Sequence, residues 1–140
     1  MAKPSFILVN QNYSTDTPSG YAKYAAARYG RSSRHSCAVR LAYALWGADN
    51  NFFKDVEANK EWLGLPIRAN ELAHVLAKTL GRAQLVRSAS DIANRTGIIF
   101  FDTIPHSDAS GHISLWDGGQ VVDGGDYFDV SPRVYFWLLP

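Results

Sequence analysis

Only one cysteine, Cys37, occurs in the 140 residues. That excludes an internal disulfide framework and any zinc site built from several thiolates. Charge of one sign is also lacking. Fourteen Lys and Arg against thirteen Asp and Glu leave a formal charge of +1, so no basic field is present to hold nucleic acid or an anionic membrane. Long hydrophobic runs are missing too. The first apolar stretch, Phe6-Ile7-Leu8-Val9, meets Asn10-Gln11-Asn12 at once, too short for a signal-peptide core or a membrane span. Gly118-Gly119 and Gly124-Gly125 have no phosphate-cradling spacing around them and read as turns. What remains is a globular composition, 46% hydrophobic and 19% charged, that fits one domain over 1–140.

The chain changes character near residue 96. Before it, spacings are helical; after it, glycine and strand-like alternation dominate. Tyr13 to Gly20 is turn-like, and the Ala-rich run Tyr21–Tyr29 favours a helix that Gly30 can stop. Ser36 is placed to cap a helix from Cys37 to Trp46, ended by Gly47. Arg40 is its one charged residue, so that helix belongs in the middle of a domain. Pro66 and Asn70 precede a third helix, Glu71 to Leu80, closed by Gly81. Gly97–Phe101 reads as a buried strand and His112–Trp116 alternates with period two. Asp117-Gly118-Gly119 signals a hairpin with Gln120–Asp123 returning, and Val134–Leu139 is a core strand. Helices followed by an antiparallel sheet make an α+β domain. With no exposed helical seam, a monomer is expected.

A thiol in the first turn of a helix meets unpaired N–H groups and the positive helix end, which favour an anion. A thiolate there, beside an imidazolium, is a nucleophile. The competing reading is an inert buried thiol. Among four histidines, His74 lies on a helix, His35 is too near Cys37 along the chain, and His106 sits in a polar loop. His112 begins a rigid strand and is the better general base. A third group must orient the ring. With Gly118-Gly119 as a two-residue turn, Asp117 pairs with Gln120, Ser114 faces Asp123, and His112 and Asp123 are diagonal neighbours on one face. A four-residue loop sets them directly opposite, and a three-residue loop turns Asp123 away. Asp117 and Asp126 are the reserves, with turn formation as their ordinary role. The spacing of His106, Asp108 and His112 matches no zinc pattern, so neither a metal nor a cofactor is expected.

Ser36-Cys37-Ala38-Val39-Arg40-Leu41-Ala42-Tyr43-Ala44-Leu45 resembles the cysteine motif of the fourth family of type VI secretion amidase effectors. Gly97–Phe101 with Ser107-Asp108-Ala109-Ser110-Gly111-His112-Ile113-Ser114-Leu115-Trp116-Asp117-Gly118 resembles that family's histidine motif, and Val134–Trp137 its closing strand. The resemblance implies a papain-like fold shared with NlpC/P60 wall endopeptidases. It implies a cysteine amidase cutting peptidoglycan stem peptides between γ-D-glutamate and meso-diaminopimelate. Cys37 would be the nucleophile, His112 the base and Asp123 the orienting acid. It further implies delivery by the type VI machinery into a rival's periplasm and a cognate immunity protein. The chain looks short for the family, and it has no cysteine pair to brace the loop near Asp123. Two other classes remain open: a papain-like peptidase or acyltransferase on another substrate, and a non-catalytic wall-binding module with an aromatic face.

Overall fold

The structure is a computed structural model and describes residues 3–13, 37–54, 68–104 and 111–140. Three helices precede a sheet: α1 (Phe6–Asn12), α2 (Cys37–Ala48) and α3 (Ala69–Thr79), then β1 (Gln84–Val86), a 3₁₀ turn at Ala89–Ile92, β2 (Gly97–Asp102), β3 (His112–Trp116) and β4 (Arg133–Leu138). All pairings are antiparallel, in the order β1-β4-β2-β3. The expected helix at 21–29, the cap at Ser36, Pro66, and both His35 and His106 lie outside the described residues.

The sheet is covered on both faces, which explains the unbroken apolar run of β2. Ile98, Phe100, Ile113, Leu115 and Trp137 face the helices and pack with Leu41, Leu45, Leu72 and Leu76. Ile99, Phe101, Trp116, Val134 and Phe136 form a second core with Ile92 and Val121, where the Trp116 indole donates to the Ile92 carbonyl at 3.0 Å.

Ala and Leu give α2 its propensity, and its N-terminal half is buried on nearly every side: Ala38, Val39, Arg40, Leu41, Ala42, Ala44 and Leu45. The helix continues through Gly47, where a stop was expected. A Cβ at that position would stand 2.7 Å from the Asn12 side chain, so the glycine lets α1 lie close against α2. The third helix starts two residues earlier than expected, because Ala69 is drawn into the core while the N-cap Arg68 makes no side-chain capping bond. Tertiary burial outweighs the cap preference of Asn70.

The short apolar run that looked like nothing more than a failed signal core is α1. Phe6, Val9 and Tyr13 are its buried residues and the one just past its end, a helical i, i+3, i+7 stripe. The Phe6 N–H donates to the Pro140 carbonyl at 2.8 Å, fixing the start of the helix beside the end of the sheet. Beyond β3 the expected returning strand is reduced to one isolated bridge, Trp116 to Val121. The register is nevertheless that of the two-residue turn: Asp117 N–H reaches the Gln120 carbonyl at 3.1 Å and Val122 N–H the Leu115 carbonyl at 2.9 Å. Gly124 then turns the chain away.

Candidate active site

Cys37 is the first residue of α2 and partly exposed. His112 is the first residue of β3, on the sheet edge that α2 packs against. Its ring lies over Phe101 (centroids 6.4 Å, 25°) and against the edge of Tyr127 (5.3 Å, 64°), which limits how it can turn. Strand alternation puts His112 and Ser114 on one face, and the bridge register brings Asp123 to that face. His112 Nε2 stands 2.9 Å from Asp123 Oδ2, with both side chains largely shielded. Nε2 is thus the ring nitrogen that faces the carboxylate.

The reserve aspartates do something else. Asp117 Oδ1 accepts the N–H groups of Gly119 and Gln120, and Asp126 Oδ1 that of Phe128; both hold turns. His74 is exposed on α3. It borders a cavity of about 440 Å³ with Asn70, Arg82, Asp102 and Tyr135 that includes none of the three groups above. Among the described residues, no group of three or more His, Cys, Asp or Glu is placed to hold a metal ion.

Electrostatics couples Cys37, His112 and Asp123. Burial on its own would push the Cys37 thiol up, but the hydrogen bond and charge of His112 and a bond from the Ile113 backbone outweigh it and hold the thiol below its ordinary range. Burial would discharge His112; the Asp123 carboxylate and the Cys37 sulfur reverse that and raise it to about 10. Asp123 is held below the usual carboxylate range despite burial, by His112 first and then by the Gly125 N–H and the Ser114 hydroxyl. The arrangement favours thiolate and imidazolium over the neutral pair, with a carboxylate behind the ring. Such a group of residues can attack a carbonyl and carry a proton to a leaving amine.

Sequence reasoning missed one group at this site. The Tyr13 hydroxyl donates to Asp123 Oδ2 at 3.3 Å and lies 3.1 Å from Ser114 Oγ. The signal that could have found it is the Phe6, Val9, Tyr13 stripe. The neighbouring glycine is equally constrained: a Cβ on Gly125 would come within 2.5 Å of His112 Nε2.

The model of one protein family, described as the type VI secretion system (T6SS) amidase effector protein 4, matches residues 34–137. The chain belongs to that family. It is therefore an amidase effector of the type VI secretion system, a peptidoglycan-hydrolysing antibacterial toxin secreted into target cells. No curated protein matches the chain. Among solved structures it is similar to the type VI effector Tae4 of Enterobacter cloacae, with 20% identity, 100% of both chains covered and a TM-score of 0.73. It is also similar to the Tae4–Tai4 effector–immunity complex of Salmonella Typhimurium, with 22% identity, 99% of each chain covered and a TM-score of 0.72. The amidase has the papain-like, NlpC/P60-type fold of these proteins. No helix among the described residues is long and apolar enough to cross a membrane.

Proposed function

We propose that the amidase hydrolyses peptidoglycan stem peptides at the γ-D-glutamyl–meso-diaminopimelate amide, with Cys37 as nucleophile, His112 as acid and base, and Asp123 as the orienting acid. The observation that carries this reading is the contact of His112 with both Cys37 and Asp123 inside the family-matched segment. His112 takes the thiol proton, and the thiolate attacks the amide carbonyl. The Cys37 N–H, unpaired within the helix at its first turn, holds the oxyanion. The imidazolium protonates the leaving amine, and water activated by the same ring then hydrolyses the thioester while Asp123 keeps the ring in place. The target is the periplasm of a rival cell, and a cognate immunity protein that covers the cleft protects the producer.

Mass spectrometry of muropeptides after incubation with purified wall tests the reading. Fragments ending in D-glutamate should appear, and prior alkylation of the enzyme with iodoacetamide should abolish them. Fragments cut at another bond would refute the substrate assignment. Unchanged release from the alkylated enzyme would refute the thiol chemistry.

The pH dependence of that alkylation is a second expectation. A thiol held below its ordinary range ionises at lower pH than a free thiol, so the alkylation profile should lie at lower pH than that of a variant without the imidazole. An ordinary thiol is a few per cent ionised at pH 7, so Cys37 should react roughly tenfold faster there than the same residue in a His112→Ala variant. A profile that rises only near pH 8 to 9 in the wild type would show that the ion pair does not form.

A further inference from the structure

We infer that Tyr13 is a positioning residue of the amidase, its hydroxyl fixing the Asp123 carboxylate in the orientation that His112 requires. The inference rests on the proposed chemistry of Cys37, His112 and Asp123. It adds a residue that lies outside the matched segment 34–137.

Asp123 has little backbone support. Antiparallel pairing with β3 ends at the Trp116–Val121 bridge and the Val122 to Leu115 hydrogen bond, and the chain turns at Gly124. The direction of the carboxylate therefore depends on what its two oxygens meet. Oδ1 accepts the Gly125 N–H at 2.9 Å, and Oδ2 accepts the Tyr13 hydroxyl at 3.3 Å. The same Oδ2 is the atom that faces His112 Nε2 at 2.9 Å. That approach is close but off the line of a directed N–H···O bond, so it does not itself dictate how the carboxylate is rotated. Gly125 holds one oxygen and Tyr13 the other, and removing either leaves the rotation of the carboxylate less well fixed.

Tyr13 is itself well anchored. Its ring is buried on the α1 stripe, its N–H closes the helix onto Asn10 at 3.1 Å, and its oxygen lies 3.1 Å from Ser114 Oγ. The ionisable groups facing it are Asp123, Cys37 and Arg40. Burial first, then Asp123, pushes the phenol above its ordinary range, and Ser114 and Arg40 oppose this less strongly. Tyr13 therefore stays protonated, a constant donor to the carboxylate. A donor on Oδ2 stabilises the anion, and the anion in turn favours the imidazolium that supports the Cys37 thiolate.

Tyr13→Phe removes the hydroxyl and keeps the ring. It is expected to lower kcat about tenfold or more with KM nearly unchanged, and to move the alkylation profile of Cys37 toward higher pH. In an Asp123→Asn background the same replacement should have no further effect on either readout, since Tyr13 acts through that carboxylate. Wild-type kcat in Tyr13→Phe would overturn the inference, as would an undiminished loss in the Asp123→Asn background. Ser114→Ala removes the weakest of the contacts that lower Asp123 but keeps the Tyr13 donation to it, and should cost less. An equal loss there would assign the effect to the buried hydroxyl pair and overturn the inference too. Full activity in Asp123→Asn would overturn the proposed chemistry along with it, whereas loss there with an unaffected Tyr13→Phe would defeat the Tyr13 inference alone.

Discussion

Replacing Cys37 by alanine should reduce muropeptide release by roughly 10⁴-fold or more, and His112→Ala should do nearly the same. The sulfur is the atom that forms the acyl intermediate, and His112 contacts both it and Asp123. Without the ring the thiol loses its largest stabilising contact and keeps the burial that raises it. Because the two residues act as one unit, the double variant should be no slower than either single one. Purified variants at equal concentration, followed by release of D-glutamate-ended fragments, provide the measurement. Multiplicative losses, or substantial activity in His112→Ala, would mean the two do not share a step.

Gly111→Ala should destabilise the fold and disable the site together. Gly111 has φ +117°, a conformation that L side chains rarely adopt, and its Cβ would meet the Phe101 carbonyl at 2.5 Å and the Phe100 ring at 3.0 Å. That carbonyl belongs to β2, an interior strand paired on both sides, so it cannot give way. Strain and overlap together should cost about 3 kcal/mol or more, lowering Tm by roughly 10 °C for a chain of this size. Below the transition the remaining folded enzyme should still be slow, since the clash bears on the residue that aims His112. A misplacement near 1 Å costs about 10²-fold in rate. Urea unfolding and kcat on the same preparation separate the two effects; a wild-type Tm would contradict the steric argument.

Much of this was legible in the chain. Cys37 opens a helix because a charge-poor Ala/Leu run follows it, and His112 opens a strand because apolar residues alternate after it. Gly118-Gly119 allowed three loop lengths, two of which bring Asp123 to the face of His112, and the structure has the two-residue register. What could not be read was how far pairing continues. Gly124 and Asp126 use local side-chain and turn bonds that compete with a strand. The first helix escaped because Phe6-Ile7-Leu8-Val9 contains β-branched residues of modest helix propensity, and seven residues do not hold a helix alone. Packing against α2 stabilises it, and that contact has no local signature. Tyr13 was hidden for the same reason. The β1 strand, three residues with only Val86 buried, is too short for any pattern.

The Tyr13 contacts span 101 residues to Ser114 and 110 to Asp123, while Cys37 meets its partner from the far side of the helical half. The hairpin supplies His112 and Asp123 locally, but Tyr13 and Cys37 reach them only across the fold. Loop-closure entropy makes such distant junctions slow to form, so competence should arrive only with the completed tertiary structure. Catalytic activity is correspondingly a direct reporter of the native population: any variant that lowers stability should lose turnover in step with its folded fraction, even when its substitution lies far from the cleft.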